Sequence, residues 1–171
     1  MRGLERITAA VAFQPHDRVP VIAQVFGHAA TLAGVALGDY LRDGALLARC
    51  QLHALEYYGY DAVFAAMDLG VETEAAGSVL RYHRDMYPYV STHALEHGPP
   101  LERLAVPDPR RAGRMPEQLR AAQLLRRELG DAMLVVGCVT GPLTLTLQLM
   151  GAEPALFLAI AFVNRTDPAM L

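Results

Sequence analysis

Asp68 is the residue in this sequence best placed to do chemistry. It directly follows the apolar run Ala62 to Met67, so a carboxylate stands where a buried strand should end, and α/β folds keep their active sites at that end. Such a carboxylate can steer a cationic or pyrrole N–H group, or orient a catalytic partner. Its structural alternative is a turn or cap residue ahead of Gly70. Glu72 and Glu74 alternate on what reads as an extended segment, which would turn one of them toward the same mouth.

Gln24 and His28 flank the exit of a second candidate strand, Val19 to Val25. His28 is suited to hydrogen-bond an acidic ligand, and equally to pack on an apolar short helix. Thr140, Gly141 and Pro142 follow a third apolar run, Met133 to Val136. They set a hydroxyl and free backbone N–H groups just ahead of a helix, a geometry that favours anions, although Thr140 also suits a plain N-cap. Gln148 lies on the helix that follows and points either toward the mouth or away from it. Asp68 is thus the catalytic candidate, and Gln24, His28, Thr140 and Gln148 are the substrate-binding candidates.

His93 to His97 matches the H-x-x-E-H pattern of zinc hydrolases. That chemistry needs a firm helix and a third ligand. Gly98, Pro99 and Pro100 follow at once, so the match is rejected and no metal site is assigned. Phosphate-binding loops, the dinucleotide glycine fingerprint and paired-cysteine zinc sites are not found.

The elements that must position these residues alternate between strand and helix. Helical spacing runs from Leu4 to Phe13, and short helices are expected around Gly27 to Gly34 and Asp39 to Arg42. Ala45 to Tyr58 reads as an amphipathic helix ended by Gly59. Ser78 to His83 and Tyr87 to Val90 suggest a small β-hairpin, and a Pro-rich connector runs from Gly98 to Pro109. Pro116 opens the next helix, with Leu119, Leu124, Leu125 and Leu129 on its buried stripe. Leu143 to Met150 and Pro154 to Val163 are the last helices. The fold class is α/β, with three parallel strands forming part of a barrel and chemistry on one rim.

Composition narrows the function classes. The chain has 171 residues, 53% of them hydrophobic, with a formal net charge of −3 and a mean hydropathy of +0.20. No apolar run approaches the roughly 18 residues of a membrane span, so the excess reads as strands and helices buried on several sides. No basic stripe interleaves with aromatics, which argues against nucleic acid. Arg110, Arg111 and Arg114 cluster beside two prolines and read as a solvated loop. The N-terminal stretch lacks the apolar core of a secretion signal, and Cys50 and Cys138 each sit in apolar surroundings; the expected compartment is the cytoplasm.

Taken together, the stretches Glu5 to Ala10, Asp17 to Val21, Tyr58 to Val63, Asp68 to Gly77, Gly113 to Pro116 and Gly141 to Thr144 resemble the uroporphyrinogen decarboxylase superfamily. That group includes the haem-pathway decarboxylase and zinc-dependent corrinoid-to-thiol methyltransferases. The resemblance implies a (β/α)8 barrel. A closed barrel takes eight strands and about 250 residues, so three strand candidates correspond to an N-terminal half, residues 1–171 being one portion of a single domain. The last strand's edge would then need a cover.

In the decarboxylases, the loop after the first strand holds a pair of arginines for substrate carboxylates. The resemblance places Gln24 and His28 there, a departure that points away from porphyrinogen decarboxylation. Asp68 matches the family aspartate that contacts pyrrole nitrogens, and Gln148 stands near a family tyrosine. The Asp68 to Gly77 stretch and the Gly-Arg-Met-Pro pattern look more like the methyltransferase branch. There zinc lowers a thiol's pKa, and the thiolate attacks a methyl-corrinoid. That branch's ligands, a His-x-Cys pair and a later Cys, lie in the C-terminal half; this sequence has no His-x-Cys. The implied set is therefore zinc in the full-length family and no cofactor on this chain alone. The implied partners are a thiol or tetrapyrrole substrate, a corrinoid protein, and a second copy or separate C-terminal half. An inert, truncated half-barrel is the rival expectation.

Overall fold

The computed structural model describes residues 1–96 and 101–166. After α1 (Gly3–Val11), α2 (His28–Leu32) and α3 (Leu37–Tyr40) comes α4 (Gly44–Tyr58). Asp43 caps α4 by accepting the N–H groups of Ala45 and Leu46, and Gly59 ends it at φ 67, a left-handed turn that only glycine adopts freely. β1 (Ala62–Ala65) follows, with every residue buried. The chain then makes α5 (Val71–Ala75), an antiparallel hairpin of β2 (Val79–Arg81) and β3 (Tyr89–Thr92), a single 3-10 turn at Leu101–Arg103, and α6 (Met115–Leu129). β4 (Leu134–Gly137), α7 (Pro142–Met150) and α8 (Ala152–Thr166) complete the order.

β1 and β4 pair in parallel, with Ala62 opposite Leu134 and Ala65 opposite Gly137. A parallel pair needs a long crossover, and here α5, the hairpin and α6 supply it. α4 and α6 pack against each other and against β1, burying Leu47, Ala54, Ala121 and Leu125 completely. The contact is close because Gly44 carries no side chain. A Cβ there would stand 2.0 Å from the main-chain oxygen of Glu117, while the Gly44 N–H donates to the Glu117 carboxylate at 2.9 Å.

The structure corrects three expectations. Val19 to Val25 forms no ladder among the described residues, so two of the three expected barrel strands are paired. Pro20 has no N–H to give, and Val21 is spent on the entry to β1. Its carbonyl accepts the Asp61 N–H at 2.8 Å, and its N–H donates to the Asp61 carboxylate at 2.7 Å. Glu72 and Glu74 lie on α5, not on an extended segment. The Asp68 side chain accepts the Gly70 N–H at 2.7 Å, turning the chain into that helix. Arg114, read as part of a solvated loop, is 8% exposed.

At the N-terminal end of β1, four charged side chains clamp the chain start to the sheet. Arg6 forks onto Asp17 at 2.6 and 2.7 Å and also reaches Asp61. Arg18 binds Asp61 at 2.6 and 2.9 Å, and the Met1 amino group binds Asp17 at 2.9 Å. The Arg6 guanidinium, helped by the Met1 amino group, holds the Asp17 carboxyl well below the usual range. Burial pushes Asp61 up, but the Val21 N–H and the Arg18 and Arg6 guanidiniums outweigh it, and the net shift is downward. Groups with depressed folded pKa values contribute stability in full above their unfolded value, here 3.8, and lose it as pH falls below. The urea midpoint should therefore hold from neutrality to about pH 5 and drop steeply between about pH 4 and 3. A midpoint unchanged at the lower limit would refute the clamp.

Candidate functional site

A cavity of about 850 Å³ opens at the carboxyl ends of β1 and β4, where a parallel sheet presents its loops. The loop after β1 gives it Met67, Asp68 and Gly70, and the loop after β4 gives Cys138 and Thr140; α7 adds Gln148. One wall comes from the hairpin, through Tyr87, Tyr89 and Val90. α6 ties the two loops together: Gln118 accepts the Met67 N–H at 3.3 Å and donates to the Cys138 carbonyl at 2.8 Å. Burial pushes the Cys138 thiol up, so at neutral pH this sulfur is a thiol rather than a thiolate.

Phe26 also lines the cavity, with φ 42, a left-handed backbone that a bulky residue rarely adopts. Its carbonyl accepts from buried Gln51 at 3.1 Å, its ring meets Phe64 edge-on, and the next N–H, of Gly27, donates to Tyr87 at 2.8 Å. Strain of this kind persists where surrounding contacts over-determine it, often beside a ligand.

Asp68 does sit on the cavity rim, but its carboxylate is already engaged. Arg114 binds it in a fork at 2.5 and 3.1 Å, holds Glu74 at 2.6 Å and donates to the Leu41 carbonyl at 3.0 Å. Burial works against the Arg114 charge, yet Asp68 and Glu74 reverse it and the net shift is upward. Tyr82 donates to Glu74, and Arg42 lies 4.0 Å above its ring. Burial, reinforced by Glu74, pushes the Tyr82 phenol up. This ion cluster fixes the direction of Asp68. Sequence reasoning missed it by treating Arg114 together with its solvated neighbours. The available signal was that Asp68 and Glu74 are two carboxylates at a buried strand exit, which require a cation.

Thr140 lines the cavity as well, but its anion-binding groups are not free as expected. Its N–H donates to Glu72 at 3.2 Å and its hydroxyl to the same carboxylate at 2.7 Å. A carboxylate of the chain itself thus fills the position ahead of α7, and the two rim loops are fastened to each other.

A family profile described as Uroporphyrinogen decarboxylase (URO-D) matches residues 3–167. The chain belongs to the URO-D family. Among solved structures, a methyltransferase from Methanosarcina mazei is similar, with a TM-score of 0.78 and 26% identity over 92% of this chain and 47% of that one. This chain therefore spans about half the length of that structure, and the fold is α/β, part of a (β/α)8 barrel. No curated protein matches significantly.

Of the five candidate residues, the URO-D half-barrel brings Asp68, Thr140 and Gln148 to one cavity and leaves Gln24 and His28 off its lining. Both of these are exposed, and His28 meets the Tyr58 hydroxyl at 2.8 Å. His93 follows β3 directly, just ahead of a turn, rather than lying on a helix, and His97 lies outside the described residues. Among the described residues, no three His, Cys, Asp or Glu side chains converge to hold a metal. The described residues therefore offer no ligand set for the zinc implied by the methyltransferase branch. No helix among the described residues is long and apolar enough to cross a membrane.

Proposed function

We propose that the full barrel transfers a methyl group from a corrinoid protein to a thiol, with this chain supplying one wall of the substrate cavity. The zinc of that chemistry would be held by ligands outside this half of the barrel. The observation that carries the reading is the charge of the cavity. Among the described residues its lining includes Asp68 and Glu72 but no Lys or Arg, and Gln24 and His28 face elsewhere. A substrate bearing several carboxylates, such as uroporphyrinogen, requires cations at its binding site. The similarity to a methyltransferase points the same way.

On this reading the chain's own residues bind and orient substrate. Gln118 and Glu72 hold the rim loops at fixed separation, Arg114 fixes Asp68, and the hairpin aromatics exclude water. The test is an assay of the assembled barrel with methylcobalamin and a thiol. Corrinoid-dependent formation of the methyl thioether supports the proposal, and release of coproporphyrinogen from uroporphyrinogen would instead establish decarboxylation.

A further inference from the structure

We propose that the hairpin tip, residues 83–88, is a lid on the cavity, latched to the body at Gly27 and Gly38, and that Tyr87 is the residue positioning it. Tyr87 and Pro88 line the cavity from this tip, so lifting the tip opens that wall. The lid is a property of this chain whichever reaction the full barrel performs.

Both latches are single hydrogen bonds from main-chain N–H groups of the body. The Gly27 N–H donates to the Tyr87 hydroxyl at 2.8 Å, and the Gly38 N–H donates to the Arg84 carbonyl at 2.8 Å. The tip seats this closely because neither body residue has a side chain. A Cβ at Gly27 would stand 2.6 Å from the Tyr87 hydroxyl oxygen, and one at Gly38 would stand 2.9 Å from the His83 carbonyl oxygen. On the body side, Gln51 is 1% exposed and donates to the Phe26 carbonyl at 3.1 Å. That carbonyl belongs to the same peptide unit as the Gly27 N–H, so the core itself aims this donor at the lid.

Little else holds the tip down. Residues 84–87 are exposed, and β2 and β3 contact each other far more than any other strand or helix. Segments with so few buried contacts open at low free energy. The base of the hairpin is fastened separately. Tyr82 donates to Glu74, the Ala94 N–H donates to the Ser78 hydroxyl at 3.0 Å, and the Leu95 N–H donates to the Leu149 carbonyl at 2.9 Å. Closure also carries a penalty. The His83 ring stacks on Tyr89, and its Nε2 is buried without a hydrogen-bond partner among the described residues. An orphaned buried nitrogen is unfavourable, and water satisfies it once the tip lifts. Two latches set against one orphaned atom leave the tip poised to open, as active-site lids are.

Amide hydrogen exchange of the full chain, followed by NMR near neutral pH, reads the lid directly. The Gly27 and Gly38 amides should share one protection factor, well below that of the β1 amides, which report global unfolding. Tyr87→Phe keeps the ring and removes the acceptor. It should speed exchange at Gly27 and at Gly38 alike, by about fivefold, the scale of one ordinary hydrogen bond. Gly38 bonds to a different residue, so its response marks a tip that lifts as one piece. His83→Phe keeps the stack on Tyr89, deletes the orphaned nitrogen, and should slow both amides. A Gly38 amide indifferent to Tyr87→Phe, faster exchange of both in His83→Phe, or exchange of both only along with β1 overturns the lid.

Discussion

Arg114→Met should lower the unfolding free energy by about 3–5 kcal/mol, the range seen when one partner of a buried ion pair is removed. The guanidinium is the partner of both Asp68 and Glu74 and also donates to the Leu41 carbonyl. Its side chain is 9% exposed and that of Asp68 5%. Without it, two carboxylates are left in a poorly hydrated pocket without the guanidinium that bridges them. Arg114→Lys should recover only part of the loss, because an ammonium cannot fork onto Asp68 while reaching Glu74 and Leu41. Urea unfolding of the three proteins at pH 7 decides the matter. A methionine variant within about 1 kcal/mol of the parent would mean that the cluster is a solvated surface pair after all.

Gly44→Ala, the addition of one methyl group, should cost roughly 3 kcal/mol, the upper part of the overpacking range. The new Cβ would lie 2.0 Å from the Glu117 oxygen and 3.0 Å from the Ala121 nitrogen, all backbone atoms. No rotamer change can clear them, so α4 and α6 must separate, and both pack on β1. Gly59→Ala is the control: its Cβ meets nothing within 4 Å, and only the left-handed backbone penalises it, by about 1 kcal/mol. Thermal unfolding should rank the two variants clearly. Equal losses would show that the α4–α6 contact yields more readily than its geometry indicates.

The elements visible in the sequence were those with one dominant cause. β1 reads as a strand because it is buried on both faces, and α4 is bracketed by a capping aspartate and a left-handed glycine. α6 has a proline in its first turn and a leucine stripe that packs on the core through Leu124, Leu125 and Leu129, whereas Leu119, expected on the same stripe, is exposed. The hairpin, too, showed in its flanking runs. Val19 to Val25 has the same apolar character as β1, but nothing local says that its hydrogen bonds go to the Asp61 carboxylate. α5 is five residues long, too short for periodicity to register, and it starts because Asp68 caps a turn. Arg114 was obscured by its neighbours Arg110 and Arg111, since burial of one charge in a cluster is a tertiary fact. Asp68, Thr140 and Gln148 could be placed because strand exits converge on one rim. The partners that hold two of them, Arg114 and Glu72, were not foreseen in those roles.

One wall of the cavity comes from a ribbon whose ladder closes on itself: β2 bonds to β3, and neither strand joins the parallel pair. Side chains at positions 89 and 90 can therefore be exchanged without touching a barrel hydrogen bond. Selectivity and fold integrity are, to that extent, written in separate parts of the chain, so the range of molecules admitted can drift while the scaffold stays as it is.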